Sequence, residues 1–172
     1  MPKAIFFLFL LFYSASLFGQ QKSLESYFSQ VRVGKYPNLP AEVNKPENAA
    51  TVLNSLAAYL HDSIAVVRTR AASITRLIGT RSKINTIRNK AVQQLTSAIK
   101  DADTGNAGAA LTFLTEFKKN DFSSADKDTL YSIFKRSSSH SNGLIRLIGY
   151  LEIQQAKNDL LQNLHSKNLA RS

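Results

Sequence analysis

The sequence predicts an all-α fold. Three observations carry that prediction. Alternating apolar and polar runs of strand length do not occur. Apolar side chains instead recur at spacings of three and four, so they fall on one side of a helix turning about 100° per residue. Short Gly-, Asn-, Asp- and Ser-bearing breaks then divide the chain into segments of ordinary helix length.

The elements follow in order. Residues 1–19 read as a cleavable export signal. Lys3 supplies a positive start, Ala4 to Tyr13 carry no charged side chain, and Ser14, Ala15, Ser16 and Gly19 give a small-residue exit. A membrane span needs about 20 apolar residues, and this run turns polar too early. Phe6, Phe7, Phe9 and Phe12 leave no polar face for a water-exposed helix. Cleavage after Gly19 is preferred over cleavage after Ser16. The Phe-Gly-Gln-Gln exit resembles bacterial signal peptides.

Residues 20–46 are expected to form one helix, Ser23 to Val33, closed by Gly34, and then a connector broken by Pro37, Pro40 and Pro46. Residues 47–168 form the main domain. Its first helix follows Pro46 and carries Ala49, Val52, Leu53, Leu56, Ala57 and Leu60. Asp62 or Ser63 caps the next, which buries Val67, Ala71, Ile74 and Ile78 and ends at Gly79. A third carries Ile84, Ile87, Ala91, Leu95, Ala98 and Ile99. A fourth carries Ala110, Leu111, Phe113, Leu114 and Phe117 and ends at Asn120. A fifth, capped by Ser123 or Ser124, carries Leu130, Ile133 and Phe134. A serine-rich turn, Ser137 to Gly143, leads to Leu144, Ile145, Leu147, Ile148 and Leu151, and a last helix covers Gln154 to Lys167. The total is about eight helices after the signal peptide.

Self-comparison gives repeats. A shift of 39 places Asp62 on Asp101, Ala71 on Ala110 and Ile78 on Phe117; a further 34 places Phe113 on Leu147 and Phe117 on Leu151. Three helical hairpins of 34 to 39 residues result, each with an apolar face that only a stacked neighbour can cover. The segment Leu56 to Gly79, through Asp62, Val67, Arg68, Ala71, Ala72, Ile78 and Gly79, resembles a HEAT repeat. The second unit keeps Asp101 and Ala110 but has Ala107 in the arginine's place, and the third keeps neither aspartate nor arginine. The resemblance implies a short HEAT/armadillo-like α-solenoid used for binding, with Arg68 in a structural contact to Asp62 or Asp101.

Composition bounds the function. The chain has no cysteine, which removes disulfides, thiol nucleophiles, cysteine-held zinc and a lipidated cysteine anchor. The formal net charge is +10, and loss of Lys3 with the signal would leave about +9, enough to attract polyanions. Between Asp62 and Asp101 no acidic residue occurs, while Arg68, Arg70, Arg76, Arg81, Lys83, Arg88, Lys90 and Lys100 do. Arg70, Arg76, Arg81, Lys83, Arg88 and Lys90 are therefore the candidate basic patch. Arg88 shares a helix face with Ile84, Ala91 and Leu95, so it must extend to the surface or meet a carboxylate. Aromatic stacking partners for single-stranded nucleic acid are scarce, with only Tyr59 near by sequence.

No catalytic motif is found, and no cofactor is expected. His61, His140 and His165 lack metal-binding spacing, and neither a nucleophile elbow nor a phosphate-cradling loop occurs. Asp101, Asp103, Asp126 and Asp128 read as cap and first-turn residues. The expectation is an exported, soluble protein, periplasmic or extracellular, without a membrane span in the mature chain, that binds or scaffolds an envelope or extracellular protein. An anionic-polymer binder (lipopolysaccharide, acidic glycan or nucleic acid) is the alternative. A hydrolase whose site assembles only in space is a second alternative.

Overall fold

A computed structural model describes residues 22–136, 142–159 and 161. The expected export signal, the Ser137 to Ser141 turn with its His140, and the last helix beyond residue 161 with His165 lie outside the described residues. The described part is all-helical. Its helices are α1 (22–32), α2 (Ala49–Tyr59), α3 (Ala65–Arg81), α4 (Asn85–Ala98), α5 (Thr104–Leu114), α6 (Ser124–Arg136), α7 (Asn142–Tyr150) and α8 (154–159). None of them is long and apolar enough to cross a membrane.

The helices pack in a regular way. Each of α2, α3 and α4 touches the next helix in sequence, and α2·α4, α3·α5, α4·α6 and α5·α7 also touch. Alternate helices thus lie side by side in two rows: α2, α4 and α6 in one, α3, α5 and α7 in the other. One continuous apolar core runs through both rows, from Leu24 and Phe28 in α1 to Leu147, Ile148 and Ala156 at the far end. α1 closes the near end by stacking Phe28 on Tyr59 at 4.0 Å between ring centroids. At the far end the Tyr131 hydroxyl of α6 donates to Asp159 Oδ2 of α8 at 2.9 Å.

Several sequence expectations need correction. The proline-rich connector, expected as an irregular linker or an extended segment lying on the domain, does lie on the domain but is folded in part. Ala41–Asn44 and Pro46–Asn48 form two 3-10 turns, joined by a hydrogen bond from Asn48 Nδ2 to the Glu42 carbonyl at 2.9 Å, with Val43 buried beneath them. Gly79 does not end α3, which continues to Arg81. A Cβ on Gly79 would lie 2.6 Å from the Ala91 Cβ and 2.7 Å from the Phe117 ring, so the residue is small because α4 and the α5–α6 connection press against it. Phe117 belongs to that connection, since α5 stops at Leu114. Ile84 is not part of the buried stripe. It sits just before α4 in an extended conformation and is 56% exposed.

Candidate functional site

The start of α3 and the start of α4 use the same local device. Before α3, Asp62 Oδ1 accepts the Ile64 N–H at 3.0 Å; before α4, Ser82 Oγ accepts the Ile84 N–H at 3.1 Å. Both isoleucines are extended N-cap residues, so the capping oxygen stands two residues earlier than the N-cap position itself. An arginine six residues beyond each capping side chain then folds back onto the turn. Arg68 Nη1 donates to the Asp62 carbonyl at 2.7 Å, and Arg88 Nη1 donates to the Ser82 carbonyl at 3.1 Å.

Each arginine also reaches forward to the next helix of its own row. Arg68 Nε and Nη2 hold Asp101 Oδ2 and Oδ1 at 2.5 and 3.1 Å, just ahead of α5. Arg88 Nε holds Asp121 Oδ1 at 2.7 Å, just ahead of α6. Asp121 is buried, and its other oxygen accepts the Lys118 N–H at 3.0 Å. Charge-assisted pairs of this kind, half-sheltered from water, bind more strongly than exposed ones. Burial pushes the Asp101 carboxyl up, but the Arg68 hydrogen bond and charge, with the Asp103 N–H and Asn106, outweigh it and hold its pKa below the usual range. At Asp62 burial is likewise overcome by the Ile64 N–H and by Arg32 and Arg68.

Sequence comparison at hairpin length missed the 20-residue relation between these two starts. Asp62, Ile64, Val67, Arg68, Arg70 and Ala71 correspond to Ser82, Ile84, Ile87, Arg88, Lys90 and Ala91. The signal was present as Ile-x-x-(Val/Ile)-Arg-x-(Arg/Lys)-Ala, occurring twice. It relates the starts of α3 and α4 at a shorter spacing than the hairpin comparison uses.

The basic segment is consequently not one patch. Arg68 and Arg88 are occupied as described, and Arg76 is held by both oxygens of Glu116 at 2.8 and 2.9 Å while lying over the Phe113 ring. Arg70 lies over Tyr36 with 5.2 Å from guanidinium to ring centroid, and Lys90 donates to Asn54 Oδ1. The carboxylates missing from residues 63–100 are supplied by residues 101–121, directly after them. No known protein family, characterised protein or solved structure matches the chain. Among the described residues, no three His, Cys, Asp or Glu side chains converge where they could hold a metal ion.

Arg81 and Lys83 are placed differently. They stand at the α3–α4 turn, beside a cleft of about 420 Å³ between that turn and the 3-10 segment 41–48. Val43, Ala49, Leu77, Ile78 and Ile84 give it apolar walls, and Lys45, Arg81 and Lys83 line it as well. Arg81 Nη1 approaches Asn44 Oδ1, on another lining residue, at 3.4 Å. A second hollow, at the α2–α3 and α4–α5 turns, is lined by His61, Arg68, Lys100 and Asp101 with Leu60 and Ala98, but there Arg68 and Asp101 already satisfy each other.

Proposed function

We propose that this chain is an exported helical-repeat binding module, HEAT-like in its stacking, that holds a protein partner of the cell envelope or exterior. The observation that carries the reading is the pairing of arginines with aspartates across alternate helices, Arg68 with Asp101 and Arg88 with Asp121. Such pairing fixes neighbouring units of a stack, and a stack of helices offers its long outer and inner faces for contact. Arg68 of α3 and Arg88 of α4, both largely sheltered from water, are engaged in contacts to the following helices, which supports an architectural role for them. The export half of the reading rests on residues 1–19.

Two measurements test it. Mass determination of the protein recovered outside the cytoplasm should give a chain beginning at Gln20; recovery of the uncleaved chain from the cytoplasm would refute export. Light scattering on the natively purified protein should show a complex of fixed stoichiometry with one partner. A protein that elutes as a lone monomer from every native preparation would refute the binding role.

The second reading, an anionic-polymer binder, draws on Arg70, Arg81, Lys83, Lys90 and Lys100, which form no ion pair among the described residues. Its signature is heparin retention that falls steeply with salt and is lost on charge reversal at Arg70, Lys83 and Lys90. Retention that ignores salt or survives the reversals would exclude it.

A further inference from the structure

The cleft between residues 41–49 and the α3–α4 turn combines two properties found separately elsewhere on the surface. Its walls are apolar, and one of them, Ile84, remains 56% exposed although it is a large aliphatic side chain. Its cations are uncompensated: Lys45, Arg81 and Lys83 form no ion pair among the described residues, and no acidic residue lines the cleft. Glu42 and Glu47, the nearest carboxylates in sequence, are not among its lining residues. By contrast Arg68, Arg76 and Arg88, on the same two helices, each meet a carboxylate.

A ligand that suits this arrangement has two parts. An uncharged hydrocarbon would fill the walls but leave the three cations without a counter-charge. A hydrophilic polyanion would meet the cations but leave water against the half-buried Leu77 and the exposed Ile84. The volume of about 420 Å³ is within the range of small-molecule sites. We infer that the cleft binds an anionic amphiphile, a carboxylate or phosphate head on an apolar tail of about ten carbons. The tail lies along Leu77 and Ile84, over the floor made by the buried Val43 and Ile78, and the head stays at the mouth beside Lys45, Arg81 and Lys83. This inference stands on the cleft alone and does not depend on the protein-partner reading.

The test is calorimetric titration of the protein with decanoate, decyl phosphate, decanol and decyltrimethylammonium, each below its micelle concentration, with amide shifts mapping the contact. Decanoate and decyl phosphate should each bind once per chain, compete with one another, and shift Leu77, Ile78 and Ile84; the tighter of the two names the headgroup class. Decanol should bind at least about ten-fold more weakly, and the cationic amphiphile should not bind. Arg81→Glu with Lys83→Glu should weaken both anions by about a hundred-fold. A reference pair, Lys22→Glu with Lys35→Glu, makes the same change in net charge at exposed positions outside the cleft and should leave affinity within about two-fold. Equal losses in the two double variants would reduce the effect to general charge attraction and overturn the inference. So would equal binding of anionic and cationic amphiphiles, or shifts that map elsewhere. Ile84→Asp, at a position too exposed to endanger folding, gives an independent check and should weaken anion binding by about ten-fold.

Discussion

At the scale of single residues, two glycines in helices should respond to alanine with opposite sign. Alanine is favoured over glycine inside a helix by up to about 1 kcal/mol. In α5, Gly108 is exposed and a Cβ there would touch nothing within 4 Å, so Gly108→Ala should stabilise the protein by about 0.5–1 kcal/mol. In α3, the Cβ of Gly79→Ala would overlap Ala91 and Phe117, and overpacking of a tight interface costs about 1–3 kcal/mol. That exceeds the propensity gain, so Gly79→Ala should lower the urea midpoint while Gly108→Ala raises it. Asp101 gives a second prediction of this kind. Its pKa is lowered on folding from 3.8, so the folded state binds the proton less readily than the unfolded chain. The resulting stabilisation is present above the unfolded value and is lost as pH falls through the lower, folded one. Urea midpoints measured from about pH 5 to about pH 2 should fall steeply for the native protein and less steeply for Asp101→Asn; identical acid limbs would show that the Arg68 contact contributes nothing.

At the scale of elements, the question is what fixes where each helix begins. α5 has its cap at Asp103, whose side chain accepts the Asn106 N–H at 2.9 Å, so Asp103→Ala should cost about 1 kcal/mol. α3 and α4 instead rely on a capping oxygen two residues before the N-cap and on an arginine that bonds back to the turn. Arg88→Ala removes that return bond and also leaves the buried Asp121 without its cation, for a loss of about 2–4 kcal/mol. In a double-mutant cycle, the further substitution Asp121→Ala should recover part of that loss. This contrast also explains which parts of the fold were legible in the sequence. Caps are local: Asp103 stood among the expected cap and first-turn aspartates and Ser123 was one of two expected caps, and each caps its helix. Arg88 was expected to reach the surface or a carboxylate, and it meets a carboxylate. The identity of that carboxylate was not legible, because Asp121 is 33 residues away and nothing local points to it. Gly79 was misread as a helix end for the same kind of reason: its smallness answers to Ala91 and Phe117, residues of other elements. Ile84 was misread because a residue one position ahead of a helix fits the helical spacing without sharing its buried face. The cleft escaped sequence reading altogether, since it arises only when residues 41–48 fold over the α3–α4 turn.

At the scale of the whole molecule, the two rows of helices imply that stability is unevenly spread. α3 and α4 have neighbours on both sides and carry the two most sheltered ion pairs. Toward the far end the ties are more exposed: Lys119 meets Glu152 and Lys135 meets Asp159 on solvent-facing surfaces, and α7 touches only α5 and α6 among the larger helix contacts. A helix packed on one side opens at lower cost than one packed on both. Native-state hydrogen exchange should therefore show the slowest amides in α3 and α4, at the level set by global unfolding, and faster exchange in α7 and α8. Lys119→Ala should speed exchange in α7 while leaving α3 and α4 unchanged, because it removes an end tie. Arg68→Ala, which breaks a central clamp, should lower protection across the molecule by about 2 kcal/mol. Uniform protection from α1 to α8, with both variants shifting every helix equally, would mean that the chain unfolds as a single unit and that the alternate-helix contacts do not act as separable supports.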